Sequence, residues 1–274
     1  MASPRIHDGA ESPPRRSERP PGQLVPSVVR AADLLETLAA GPPTATLASL
    51  SRRLALPRSS ALAICNTLVH AGLMTRDRDG YRLGPGVVAL SRAYLTQTDL
   101  YTEFDRVARE LAVLPEETLV LSVRDATDVV YIGRRIGNRP VGVSYQVGLR
   151  LPAHCTASGK ALLSSLTSEE VRELYGPNAR LKSLTPRTIT SVSALIRDLG
   201  EVSARGYAVD DEETAPGMMC VGAPIHDRTG RGAGAVAVSM VKAAMTGDAL
   251  SIIAAEMRRL ADRISMALGA TAPV

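Results

Sequence analysis

Proline and glycine punctuate the first 84 residues so closely that only short elements fit between them. A helical period starts at Pro26, with Val28, Ala32, Leu35 and Leu38 on one face, and Gly41-Pro42-Pro43 stops it. Thr46 is placed to cap a second helix in which Leu47, Leu50 and Leu54 align, and Leu56-Pro57 then turns the chain. A third helix takes Pro57 into its first turn, runs to about His70 and ends at Ala71-Gly72. Leu73–Arg76 and Tyr81–Leu83 flank Asp77-Arg78-Asp79-Gly80, which is the chemistry of a β-hairpin. Three helices and a hairpin, in that order, predict a winged helix-turn-helix over residues 24–84.

The third helix is two-sided. Ala61, Ile64, Cys65 and Leu68 form the stripe expected to be buried; Ser59, Leu62, Ala63 and Asn66 point the other way, flanked by Arg58 and Ser60. A helix entering a major groove needs short side chains where it meets base edges. Asn66 has the groups to bond adenine, and Leu62 or Ala63 the surface to touch a thymine methyl. Arg52, Arg53, Arg58, Arg76, Arg78 and Arg82 surround this face in sequence and can reach phosphates. Taken singly, each Arg also reads as an ordinary solvated charge, and the domain as a small α+β unit unconnected with nucleic acid. Charge distribution favours the first reading. Residues 1–86 hold 11 Arg, no Lys and 7 acidic residues, whereas residues 87–274 hold 21 basic and 21 acidic ones. The whole excess of +4 thus lies in the N-terminal third as guanidinium, which points to a polyanion partner.

At 274 residues the chain suits two ordinary domains, and its 45% apolar and 22% charged residues are those of a globular protein. The longest apolar candidate, Ala233 to Val241, falls far short of a membrane helix, so no membrane partner is expected. Residues 1–23 carry five Pro, four Arg and no apolar core; they read as a disordered arm rather than a signal peptide, and a cytoplasmic location is expected. Cys65, Cys155 and Cys220 show no CxxC spacing, so reduced thiols, no structural zinc and no cofactor are expected.

A linker helix is predicted over 85–99, with Val88, Leu90, Ala93, Tyr94 and Leu95 as its apolar residues, and an α+β domain over 100–270. That domain starts with a helix at 100–114. Strand candidates follow at 119–123, Val129–Ile132 and Pro140–Tyr145, helices at 156–166, 168–175 and 191–205, strands near 207–210, 219–226 and 233–241, and a last helix from Asp248 to about Leu268. A mostly antiparallel sheet results.

Three segments of this domain combine small polar groups with apolar surroundings. In Leu151-Pro152-Ala153-His154-Cys155-Thr156-Ala157-Ser158-Gly159-Lys160-Ala161, a helix begins at Thr156 or Ala157, so the free amides around Ser158 and Gly159 can face a small carboxylate. Ala-Ser-Gly equally suits close packing of helix on sheet. In the run Asp210-Asp211-Glu212-Glu213, Asp210 ends an alternating strand and is able to turn inward. Cys220 and Ser239 are small polar groups on two apolar strands.

At these residues the chain resembles the IclR family of bacterial transcriptional regulators. Gly206, Asp210, Glu213, Cys220, Val221, Gly222, Ile225, His226 and Asp227 stand at the spacings of that family's signature. Leu151 to Leu163 resembles its effector-domain motif; Leu56-Pro57-Arg58-Ser59-Ser60 through Gly80-Tyr81-Arg82-Leu83-Gly84 resembles its winged helix. The likeness spans residues 24–269. It implies a GAF-like effector domain, a homodimer joined through winged-helix and linker helices or a dimer of dimers, and binding to a double-stranded DNA operator under control of a small-molecule effector, commonly an organic or aromatic acid. Effector contacts implied by the family fall on Ala157, Ser158, Asp210, Cys220 and Ser239. Two positions depart from it: Ala63 stands where the recognition helix commonly carries Arg, and Ala237 where a further hydroxyl contacts effector, which implies a less polar effector. A Cys/His enzyme using Cys155 or Cys220 with His154 is the competing class, but His154 and Cys155 would face opposite ways in extended chain, and no residue is assigned a catalytic role. Cys155, Cys220, His154, His226 and Asp210 lack metal-ligand spacing, so no metal site is assigned either. A sensor that does not bind DNA is the third alternative.

Overall fold

The computed structural model describes residues 24–97, 99–111, 114–138, 146–245 and 247–270. The predicted arm at 1–23 and the strand candidate Pro140–Tyr145 lie outside them. The chain divides into two units near residue 97.

In the N-terminal unit, helices α1 (Pro26–Ala40), α2 (Leu47–Arg53) and α3 (Arg58–His70) precede strands β1 (Met74–Arg76) and β2 (Tyr81–Leu83) and helix α4 (Gly86–Gln97). The Thr46 hydroxyl accepts the Ser49 amide at 3.2 Å and so caps α2, an arrangement worth about 1 kcal/mol. β1 and β2 pair antiparallel with Met74 opposite Leu83, and Ala45 bridges Tyr81, adding a third edge to the wing. Leu34, Leu38, Leu50, Cys65, Leu68, Met74 and Tyr81 form one core. The register of α1 differs from the one expected. Leu34, Thr37 and Leu38 are buried while Val28 is 65% exposed, because α1 packs through its C-terminal half against α3 and the wing. Ile64 is likewise only partly covered, Ala61, Cys65 and Leu68 being the buried residues of α3.

The C-terminal unit begins with α5 (Asp99–Leu111) and continues through β3 (Leu119–Asp125), β4 (Asp128–Arg135), β5 (Arg150–Pro152), α6 (Ala157–Leu163), α7 (Ser168–Tyr175), α8 (Val192–Arg205), β6 (Ala208–Asp211), β7 (Met218–His226), β8 (Gly232–Val241) and α9 (Ala249–Ala267). One six-stranded sheet, ordered β5-β4-β3-β8-β7-β6, is antiparallel at every described pairing. Val120, Val129, Tyr131, Leu151, Ala208, Ala235 and Ala237 pack from one face of the sheet against α6, α7 and α8. α5 and α9 pack on each other and against β4, β7 and β8, with Tyr101 against Gly133 and Leu100 against Gly234. Helices therefore cover both faces of the curled sheet, an α+β unit. β5 is a strand that sequence patterning did not single out: three residues are too few to show alternation. Among the described residues no helix is long and apolar enough to cross a membrane.

Candidate functional site

On the N-terminal unit, α3 buries Ala61, Cys65 and Leu68 and leaves Ser59, Ala63 and Asn66 exposed, with Ser60 and Leu62 half-buried at the border. Arg52, Arg53, Arg58, Arg76, Arg78 and Arg82 are all exposed. Two of them are held in place. The Arg76 guanidinium lies 5.5 Å from the Tyr81 ring centroid, and Arg82 Nε donates to Thr75 Oγ1 at 3.1 Å while its Nη1 stands 3.4 Å from Asp77 Oδ2. Asp77 in turn accepts the amides of Asp79 and Gly80 at 3.0 and 3.1 Å, which fixes the tip of the wing. The unit thus offers a helix face of small groups with a cationic margin.

On the C-terminal unit, strand register brings three of the expected residues into line. Asp210 on β6 faces Cys220 on β7, and Cys220 faces Ser239 on β8, with Cys220 Sγ and Ser239 Oγ 3.0 Å apart. The neighbouring row is Ala208, Gly222 and Ala237. Helix α6 starts over Gly222, where a Cβ would stand 2.9 Å from the carbonyl carbon of Ala157 and 3.0 Å from the Ser158 nitrogen. Gly222 thereby lets the first turn of α6 descend onto the sheet. The same turn is closed from its own side, since Thr156 Oγ1 accepts the Gly159 amide at 3.0 Å and a Cβ on Gly159 would meet the Ala153 carbonyl oxygen at 2.2 Å.

Ala157 and Ser158 are buried at this junction, and the Tyr131 phenol on β4 lies near the Ser158 hydroxyl. Burial pushes that phenol far above its ordinary value, and the neighbouring Cys220, Asp210 and Cys155 push it the same way, so all these groups share one polar enclave. Tyr131 was not anticipated; a lone Tyr in a strand carries no motif.

Asp210 does turn inward, but its carboxylate is occupied by its own turn. Oδ1 accepts the amides of Glu213 at 2.7 Å and Thr214 at 3.2 Å, and Oδ2 accepts the Thr214 hydroxyl. Burial raises its carboxyl above the usual value against the pull of these donors and of Lys160. Glu213 is buried as well, with Oε1 on the buried Lys160 ammonium, which also stands 3.3 Å from Asp198 Oδ2 on α8. Asp211 and Glu212 lie at the rim. Lys242 bridges them at 2.6 Å each, and Arg187 pairs with Asp211. The Thr185 and Thr188 hydroxyls donate to the Glu212 and Glu213 carbonyls at 2.7 Å. The acidic run therefore has its two ends in the core and its middle pair at the rim, and is not a solvated face.

His154 Nε2 donates to the Lys182 carbonyl at 2.9 Å, and burial holds its pKa below the ordinary imidazole value. Burial pushes the Cys155 thiol far up, so it stays protonated and is a poor nucleophile. Among the described residues, no group of three or more His, Cys, Asp or Glu could hold a metal ion.

A unit with an exposed helix face of small groups and a second, antiparallel unit with a buried polar enclave are the parts of a ligand-responsive DNA-binding regulator. Comparison with known proteins agrees. Residues 27–78 match the IclR helix-turn-helix domain and residues 92–266 the model described as bacterial transcriptional regulator IclR C-terminal. The Pca regulon regulatory protein of Pseudomonas putida is 33% identical over 199 residues, covering 71% of this chain and 67% of that one. The HTH-type transcriptional repressor AllR of Salmonella paratyphi A is 29% identical over 269 residues, 95% and 98% of the two chains. An IclR transcriptional regulator from Alicyclobacillus acidocaldarius superposes with a TM-score of 0.79 at 25% identity, covering 90% of this chain and all of that one. The chain belongs to the IclR family of bacterial transcriptional regulators.

Proposed function

We propose that this regulator binds a double-stranded DNA operator through α3 and switches on a small organic or aromatic acid held in the C-terminal unit. The exposed Ser59–Asn66 side of α3 carries the reading. Asn66, Leu62 and Ala63 meet base edges, Ser59 and Ser60 sit where the helix enters the groove, and Arg52, Arg53, Arg58, Arg76, Arg78 and Arg82 contact phosphates. In the C-terminal unit Ala157, Ser158, Cys220 and Ser239 contact the effector. Gly159 and Asp210 shape the site, the first by letting α6 approach Ala153, the second by closing the 210–214 turn. Effector acts on operator affinity by favouring one arrangement of the protein in free energy.

Exposed apolar side chains on the N-terminal unit support self-association. Leu24, Val25 and Val28 lie at the start of α1 and Val88, Leu90 and Tyr94 on α4, so a homodimer or dimer of dimers forms through these helices, in the cytoplasm where its operator lies. Sedimentation of the wild type against Val88→Glu tests this.

A gel shift with DNA flanking the gene, run across a salt series, tests operator binding; affinity independent of salt would overturn it. Thermal shift with a panel of small carboxylic acids tests the effector site. 4-Hydroxybenzoate, with which a Microbacterium hydrocarbonoxydans homologue of this fold is crystallised, is a first probe. Ser239→Ala and Cys220→Ala should weaken the response to any hit, and an unchanged response in both would remove the assignment.

A further inference from the structure

The 210–214 turn closes on a buried cluster with more acid than base. Among the described residues Lys160 on α6 is the one cation in it, and three carboxyl groups face it or each other: Glu213 in the turn, Asp198 on α8 and Asp210 at the end of β6. The other charged neighbours are committed elsewhere. Arg187 and Lys242 pair with Asp211 and Glu212 at the rim, His154 is held towards its neutral form by burial, and Cys155, which also senses Glu213, remains a thiol. If all three carboxyls were ionised, one ammonium would face three negative charges away from bulk water, a costly arrangement.

Geometry says which of them keeps a proton. Asp210 has three hydrogen-bond donors of its own. Asp198 is 24% exposed, although its Oδ2 beside Lys160 is buried. Glu213 has Lys160 at Oε1, while its Oε2 is buried and meets no hydrogen-bond partner among the described residues. A bare carboxylate oxygen in that position is far more expensive than a neutral acid. We propose that Glu213, anchored on Lys160, is the positioning residue of the effector site, and that closing the 210–214 turn takes up a proton on its carboxyl. Burial, reinforced by Asp210 and Asp198 and opposed by Lys160, raises this carboxyl from 4.5 to about 7, which places the uptake in the neutral range. The consequence for effector rests on the reading of Ser158, Cys220 and Ser239 as its contacts: a turn that closes with a proton makes occupancy of the site pH-dependent.

The sign follows from linkage. The open turn returns Glu213 to water and its ordinary pKa, so the closed turn binds more protons between pH 4.5 and about 7. Its advantage is full below that window, is lost as pH rises through it, and is level above. Hydrogen exchange of the Glu213 and Thr214 amides, both bonded to Asp210, reads the closure directly on the intact chain without ligand. After division by the intrinsic exchange rate, their protection should fall about tenfold between pH 5.5 and 7 and then flatten. Glu213→Gln should flatten the whole profile, and Asp198→Asn, by removing a negative neighbour, should move its midpoint to lower pH. A flat wild-type profile, or an unaltered one in Glu213→Gln or Asp198→Asn, overturns the proposal. Because no ligand enters the measurement, a failed effector screen leaves its result standing, and the reverse holds too.

Discussion

Gly222 on β7 lies directly beneath Ala157, close enough that a single added methyl would press on the backbone of α6 at 2.9 Å. Backbone cannot swing aside as a side-chain end can. Gly222→Ala should therefore lift the first turn of α6 and cost about 1–3 kcal/mol, the usual range for overpacking. Urea titration measures the cost. Displacement of Ser158 should also abolish thermal stabilisation by any effector that Ser239→Ala weakens.

Lys160 is 1% exposed and holds both Glu213 and Asp198. Lys160→Met leaves those acids without their cation, and breaking a buried pair from one side costs about 3–5 kcal/mol. Adding Glu213→Gln to Lys160→Met should recover part of this loss, since the acid left without its cation goes with it. Chemical denaturation of the two single variants and the double variant checks both statements; strictly additive effects would contradict the pairing.

Asn66 and Arg58 should fail differently. On the proposed reading Asn66→Ala removes a base-edge contact, so it should cost about 1–3 kcal/mol on the operator and relax preference at one base pair. Arg58→Ala should weaken binding to all sequences alike and lower the salt slope by about one. Titrations of operator and scrambled duplex at several salt concentrations separate the two.

His154 is depressed chiefly by burial, with Lys160 adding to the effect, so the folded protein binds fewer protons at this site than the unfolded chain does. The stability it supports is present above pH 6.5 and is lost as pH falls below that value towards the lower native one. Glu213 works in the opposite sense over pH 4.5 to about 7. Tm measured against pH should thus fall more steeply below pH 6.5 in Glu213→Gln than in the wild type. His154→Gln, which keeps a donor for the Lys182 carbonyl, should soften the acid limb.

Elements whose signals are local were legible in the sequence. Thr46 caps α2, α6 begins at the start expected at Thr156 or Ala157, and Asp77 with Gly80 shapes the wing, because each signal acts within four residues of itself. The strands β6, β7 and β8 also lie where their apolar residues placed them, and their register sets Asp210, Cys220 and Ser239 in one row. Long-range partners carried no such signal. Lys160 and Glu213 are 53 residues apart, and nothing in Ser-Gly-Lys marks its Lys as buried. The run Asp210 to Glu213 looks uniformly acidic, yet a tight turn sends its two ends inward and its middle pair to Lys242. The α1 register went astray for a related reason: periodicity identifies a stripe, but only the position of α3 and the wing decides how far along the helix it is covered.

The wing cation Arg82 already has a carboxylate within reach in Asp77, and this alters the arithmetic of its encounter with a duplex. On the proposed reading, docking there would exchange one anion for another and leave Asp77 facing the polyphosphate. Such a swap fixes where the wing sits while releasing few extra counterions, so Arg82 should govern alignment far more than tightness.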